Sequence, residues 1–187
     1  MFVKEYLVTD SGSIVVKHGK LCYKKITMIP DNTSETDNFD APWRCPLYED
    51  YAYCFPNDTK EPQSFYEITL IEVDADYRRQ GIGTLLQKRF FDEIKPNIIL
   101  GYYGITSKEL YESFMEGGSN EDKDIMQYLR DNNEKFGKTF GFVTVDDIIP
   151  RSESIPFVWP EKEAIRMRKV HKEKYEKWKA KETNMFE

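Results

Sequence analysis

Phe65-Tyr66-Glu67-Ile68-Thr69-Leu70-Ile71-Glu72-Val73 is dense in β-branched and aromatic residues and is closed by Asp74-Ala75-Asp76. That composition predicts a strand. From Ile82 the period changes, with Ile82, Leu85, Leu86, Phe90 and Ile94 recurring at helical spacing until Pro96. The spacing predicts a helix over 82–94. Asn97-Ile98-Ile99-Leu100 then reads as a short buried strand. Strand, helix, strand in this order is a βαβ-like unit, so the expected core is an α/β sheet.

On the N-terminal side, residues 3–8 and 13–28 alternate β-branched or aromatic with polar residues, around Ser11-Gly12 and His18-Gly19-Lys20. They predict short strands joined by turns. Pro30, Pro42, Pro46, Pro56 and Pro62 punctuate residues 31–63 and predict long loops with room for one short helix. On the C-terminal side, Thr106 or Ser107 opens a short helix to Met115, and Gly117-Gly118-Ser119-Asn120 breaks it. A second helix is expected over 121–136 and a strand over 138–145. After Pro150 and Pro156, residues 161–182 predict a charged helix with nine Lys/Arg against five Asp/Glu. Its apolar residues Ile165, Val170, Tyr175 and Trp178 make a ragged stripe. Such a helix is a solvated or packing element, or else an arm for a partner.

The 187 residues suit one domain, and 40% hydrophobic with 14% aromatic content can fill a core. No uncharged apolar run approaches the roughly 20 residues that cross a bilayer. Met1-Phe2-Val3-Lys4-Glu5 lacks the order of a signal peptide. The expectation is a soluble, cytoplasmic protein without a membrane partner. A net charge of -6 argues against broad nucleic-acid binding. Cys22, Cys45 and Cys54, with only His18 and His171 besides, have neither disulfide parity nor zinc-ribbon spacing. They read as reduced thiols, and no metal site is expected.

The chemistry concentrates in Tyr77-Arg78-Arg79-Gln80-Gly81-Ile82-Gly83-Thr84, between the strongest strand and the strongest helix. Two glycines remove Cβ atoms where a backbone can approach another group. The first-turn amides of the helix have no partner within it, and its dipole favours an anion. With Arg78 and Arg79 alongside, the turn reads as a phosphate or diphosphate cradle. It is neither common nucleotide loop. Leu86 stands where a dinucleotide fingerprint has its third glycine, and Gly83-Thr84-Leu85 lacks the lysine of a P-loop.

Residues Val73-Asp74-Ala75-Asp76-Tyr77-Arg78-Arg79-Gln80-Gly81-Ile82-Gly83-Thr84-Leu85-Leu86 resemble the core motif of the GCN5-related N-acetyltransferases (GNAT), with Ala75 where proline is usual. By order of elements the resemblance extends over residues 1–150. It implies a GNAT-like α/β (α+β) fold, a mixed and mostly antiparallel sheet flanked by helices; residues 151–187 fall outside the resemblance and are expected to form a charged helical extension. It implies acetyl-CoA as acyl-donor substrate, with the diphosphate on the backbone of the turn from Arg78 through Arg79, Gln80, Gly81, Ile82 and Gly83 to Thr84. The pantetheine arm would pair with free backbone at Ile71 and Val73, where the strand splays open. The activity implied is direct transfer of an acetyl group to an amine in a ternary complex, without a metal.

Such a transfer needs a route for the amine proton and a donor to the departing thiolate. Glu67 is the candidate base, eleven residues before Arg78 as in the histone-acetylating branch of the resembled family. Period-two alternation puts Glu67, Thr69 and Ile71 on one face and Glu72 on the other. The acid of many relatives is a tyrosine in a Leu-Tyr-Glu-x-Leu-Gly-Phe segment. Leu110-Tyr111-Glu112-Ser113-Phe114 resembles its first half, which makes Tyr111 the candidate, with Tyr102, Tyr103 and Tyr128 as alternatives. Gly141-Phe142 matches the end of that segment, but counting back from it places Gly137 at the tyrosine position.

Residues 31–76 hold twelve Asp/Glu against Arg44 and Lys60, with Phe39, Trp43, Tyr48, Tyr51, Tyr53, Phe55, Phe65 and Tyr66. Acidic and aromatic walls attract cationic amines. The acceptor expected is therefore a polyamine, an aminoglycoside-like compound or a protein amine; the same residues also suit a solvated loop with core aromatics. The competing class is a catalytically degenerate binding or regulatory module, and a homodimer stays open.

Overall fold

The computed structural model describes residues 1, 3–31, 46–56, 58–104, 125–149 and 154–185. Its strands are β1 (Val3–Val16), β2 (Gly19–Pro30), β3 (Gln63–Val73), β4 (Ile99–Tyr103), β5 (Val143–Thr144) and β6 (Ile155–Trp159). Helix α1 (Pro46–Tyr53) precedes β3, and a 3-10 turn (Ala75–Tyr77) leads into α2 (Ile82–Ile94). Then α3 (Ile125–Tyr128) runs through a π-helical segment (Leu129–Glu134) into α4 (Lys135–Lys138), and α5 (Glu161–Met185) closes the chain. The helix expected over 107–115, with Tyr111, lies outside the described residues.

The strands form one six-stranded sheet in the order β1-β2-β3-β4-β6-β5. Every neighbouring pair is antiparallel except β3 and β4. That exception comes from α2, since a helical crossover returns the chain in the same direction. The chain therefore adopts a mixed α/β architecture with a mostly antiparallel sheet. Among the described residues no helix is long and apolar enough to cross a membrane.

Helices cover both faces of the sheet. On one, Phe65, Leu100 and Val158 pack with Leu47 and Tyr51 of α1 and with Ala164 and Met167 of α5. On the other, Leu21, Ile99, Ile155 and Phe157 pack with Leu86 and Phe90 of α2 and with Leu129. Helix α2 begins and ends where the sequence places it. Gly81 at φ 82° opens it and Lys95 at φ 51° closes it.

Several expectations are corrected. Strand β1 runs straight through Ser11-Gly12, which are not a turn. Gly12 lies opposite Tyr23, and a Cβ there would come within 2.6 Å of the Tyr23 hydroxyl, so this glycine serves close approach. The strand expected over 138–145 is β5 alone, because α4 and a turn ending at Gly141 (φ 78°) occupy its first part. Strand β6, beyond the expected boundary at residue 150, is hydrogen-bonded between β4 and β5. In α5 the face inward is Ala164, Met167 and Val170, whereas Ile165 and Tyr175 are exposed.

One irregularity in β3 matters most. Cys22 pairs with Leu70 but Tyr23 pairs with Ile68, leaving Thr69 as an extra residue. A β-bulge of this kind resets the alternation beyond it. Ile71 and Val73 consequently pack with Tyr66 and Ile68, while Phe65 packs on the opposite face. The expected shared face of Glu67 and Ile71 is overturned: Glu67 keeps the face of Phe65, and Ile71 has the other.

Candidate functional site

The turn after β3 is held by its own side chains. The Asp74 amide donates to the His18 carbonyl at 3.0 Å, and His18 Nδ1 lies 3.0 Å from Asp74 Oδ2. The His18 ring stacks on Tyr77 with centroids 3.5 Å apart. Arg78 Nε donates to the Val73 carbonyl, and Gln80 Nε2 to the Asp76 carbonyl.

Arg79 and Gly81 take left-handed conformations, at φ 61° and 82°. Only glycine does so without cost, and open space surrounds the Cβ position of Gly81, so its role is conformational. Gly83 differs, because a Cβ there would meet the Phe136 ring at 3.3 Å. The first amide of α2 to bond back is that of Leu85, to the Gly81 carbonyl. The amides of Ile82, Gly83 and Thr84 therefore precede the helical ladder and are free to receive an anion.

These amides border a cleft of about 990 Å³. Leu70 to Val73, Arg78, Arg79 and Gly81 to Thr84 line one side, and Tyr128, Asp131, Asn132, Asn133, Lys135, Phe136 and Thr139 the other. Lys135 thus lines the same cleft as the two arginines. A deeper cavity of about 230 Å³ adjoins it, sharing Leu70, Ile71, Asn132, Asn133 and Phe136. Its other walls include Ile68 and Thr69 of β3, Gln87 of α2, and Tyr102, Tyr103 and Gly104 at the end of β4.

The cavity exists because β3 and β4 part company. They pair only at Tyr66–Ile99 and Glu67–Leu100. From Ile68 to Val73, β3 is paired on its β2 side alone. Its inner edge therefore offers unpaired backbone groups, which another extended chain can satisfy. Two side chains make the same offer. Gln87 is 1% exposed and Tyr103 8% exposed, and neither Gln87 Oε1 nor the Tyr103 hydroxyl has a hydrogen-bond partner. Burial, and then the charge of Glu134, push the Tyr103 phenol well above its ordinary value of 10.0.

The π-helical turn places Asn132 and Asn133 on the cleft. Its end is pinned by Glu134, buried at 5% exposure and bridged to Arg130 at 3.1 Å and Lys138 at 2.6 Å. One carboxylate tied to the turn before it and to the turn after it stabilises a local widening that an isolated helix avoids.

Of the residues predicted for the acyl donor, Ile71, Val73, Arg78, Arg79, Gly81, Ile82, Gly83 and Thr84 line the cleft. Gln80 does not, its side chain being turned to the Asp76 carbonyl. Glu67 is half-buried at the last position of β3 that pairs with β4, next in sequence to Ile68 of the cavity wall, and on the sheet face of Phe65. Tyr111 lies outside the described residues, as do Phe39 and Trp43. Tyr51 and Phe65 are fully buried core, and Arg166 already lies over Phe55 and Lys174 over Tyr53. The described aromatics of this segment therefore serve packing and internal cation–π contacts. Gln87 and the asparagine pair are absent from the sequence-based candidates, although a polar residue between Leu86 and Phe90 on an apolar helix face was the available signal.

Set against family models, curated proteins and solved structures, the chain matches none.

Proposed function

We propose that the chain is an N-acetyltransferase with a GNAT-like fold, moving an acetyl group from acetyl-CoA to a primary amine by direct attack in a ternary complex. The observation that carries this reading is the continuity of the cleft: unpaired helix-start amides at one end, the free edge of β3 along its length, and the splay from β4 at its depth. A ligand with an anionic head and an extended, amide-bearing arm matches these in order.

The diphosphate sits on the amides of Ile82, Gly83 and Thr84, with Arg79 and Lys135 supplying positive charge on either side. The arm adds to β3 as a strand at Ile71 and Val73, and one of its amide N–H groups satisfies Gln87 Oε1. The thioester thereby reaches the opening between β3 and β4 from the α2 face. The amine arrives from the other face, where Glu67 stands at the last paired position. There the carboxylate, directly or through one water, takes the proton of an amine that is mostly protonated at neutral pH.

Calorimetric titration with acetyl-CoA tests the donor half, and mass spectrometry for an acetylated product across spermidine, kanamycin and a lysine-bearing peptide tests the acceptor half. Binding followed by a product is the expected result, and no measurable binding overturns the reading. Binding without any product favours the competing reading, a degenerate module that only holds CoA. Reversing one charge at the cleft's rim, Lys135→Glu, is expected to weaken acetyl-CoA binding roughly tenfold without altering the melting temperature.

A further inference from the structure

We infer that His18 is a positioning residue for the acyl donor. From the tip of the β1–β2 hairpin it holds residues 74–81 in the shape that presents the amides of Ile82, Gly83 and Thr84 to a diphosphate. The inference rests on the acetyltransferase reading and adds to it a residue that lines neither the cleft nor the deeper cavity.

Its starting point is how little else anchors this turn. Residues 74–81 are all exposed, and the 3-10 turn among them buries no side chain. A segment with so few apolar contacts has little to set its conformation. Yet it carries Arg79 in a left-handed conformation, which a residue with a side chain keeps only where the surroundings support it. Arg78 and Gln80 bond to carbonyls a few residues back along the same stretch, at Val73 and Asp76.

The hairpin tip supplies support from outside. Lys17 and His18 join β1 to β2, and His18 is itself left-handed at φ 65°, a conformation that histidine adopts more readily than most side chains. Its carbonyl accepts from the Asp74 amide, one rung beyond the Gly19–Val73 pair. Its Nδ1 meets the Asp74 carboxylate, and its ring lies within 6° of parallel to that of Tyr77. Asp74 is the informative partner. It stands at the N-cap of the 3-10 turn, where an aspartate ordinarily accepts from an amide of the turn, but it makes no such bond and gives its carboxylate to His18. Gly19 extends the contact to the far end of the turn. A Cβ there would lie 2.7 Å from Ile82 Cγ2 and 3.1 Å from Leu86 Cδ1, so the tip rests on the first turn of α2. One hairpin tip therefore touches Asp74 and Tyr77 before the two arginines and Ile82 after them. An anion that binds the turn is spared the cost of ordering it, so His18 acts on donor binding and not on the chemical step.

His18→Ala removes the ring and Nδ1 together. Two donors separate its effects: acetyl-CoA, and acetyl-pantetheine, which has the same arm and thioester but no diphosphate. Calorimetry gives acetyl-CoA binding, and thiol release with spermidine, kanamycin or a lysine-bearing peptide gives the rates. The expected result is acetyl-CoA binding and KM weakened roughly tenfold, with kcat unchanged and kcat/KM for acetyl-pantetheine unchanged. Tyr77→Ala is expected to weaken acetyl-CoA similarly and Tyr77→Phe to leave it unaltered. Combining His18→Ala with Tyr77→Ala adds little, because both remove one contact. His18→Asn tolerates the left-handed backbone and keeps a donor for Asp74, so it is expected to recover part of the loss; it also carries the test where the alanine variant does not fold. A His18→Ala protein that binds acetyl-CoA as tightly as the unaltered one overturns the role of His18 while the acetyltransferase reading stands. An equal loss with acetyl-pantetheine, or a fall in kcat alone, also overturns it, because the damage then lies outside the diphosphate turn. An unaltered protein that does not bind acetyl-CoA overturns both.

Discussion

Glu67 occupies the last rung shared by β3 and β4, with Lys24 opposite it on β2. Two residues further, the bulge has turned the strand's cleft-side faces over. The carboxylate therefore cannot touch an arm lying against Ile71 and Gln87, and can act only on a group coming from the Phe65 side of the sheet. That geometry suits a base, which must stand on the amine's side of the carbonyl. Glu67→Gln preserves the shape and removes the proton acceptor. Turnover at neutral pH is expected to fall about 100-fold or more, with acetyl-CoA affinity unaltered. The loss should shrink as pH rises towards the amine's own pKa, about 10.4 for a lysine-like acceptor, where the free base no longer needs help. A pH–rate profile that runs parallel to that of the unaltered protein removes Glu67 from the reaction.

At the scale of elements, the bulge in β3 creates the opening. An extra residue on one strand bends it and increases the local twist, which carries Ile68–Val73 away from the line of β4. Removing Thr69 would let Tyr23 and Cys22 pair with consecutive residues, leaving Ile68 and Ile71 on the face they already share. The variant lacking Thr69 is thus expected to melt cooperatively and to bind acetyl-CoA at least tenfold more weakly. Undiminished binding would mean that the opening does not depend on the bulge. Nothing in the sequence marks this bulge, because one more polar β-branched residue in Ile68-Thr69-Leu70 leaves the strand signal intact while moving Ile71 and Val73 to the other face. Helix α2 was legible for the opposite reason. Its apolar period, Gly81 before it and Pro96 after it all agree. The exposure of Leu85 shows the limit of that reading, since periodicity gives a face to within a residue and Gln87 holds the buried place instead. Strand β6 was hidden by Pro156. Its carbonyl accepts from the Val145 amide, so its ring nitrogen faces the side on which β5 has already ended, and no ladder bond is lost.

For the whole molecule, the order β4-β6-β5 makes residues beyond 150 part of the sheet that shapes the cleft. Phe157 lines the inner cavity and holds the Tyr103 ring, and Val158 lies under α5 together with Met167. Helix α5 is tied back by two arginines within this packing. Arg168 bonds Asp147 and the Thr144 carbonyl at 2.7–3.0 Å, and Arg166 bonds the Cys54 carbonyl at 2.9 Å. A chain cut after residue 150 would leave β5 unpaired, β4 with an open edge, and both core clusters without one wall. Calorimetry and circular dichroism of fragment 1–150 are expected to show no cooperative transition. The milder change Met167→Ala, emptying a site of 0% exposure, is expected to cost roughly 2–5 kcal/mol while leaving acetyl-CoA binding intact well below the melting temperature. A fragment 1–150 that melts cooperatively and takes up acetyl-CoA would show that the sheet closes around its ligand without β6, and the cavity wall formed by Phe157 would then have to be supplied from within the first 150 residues.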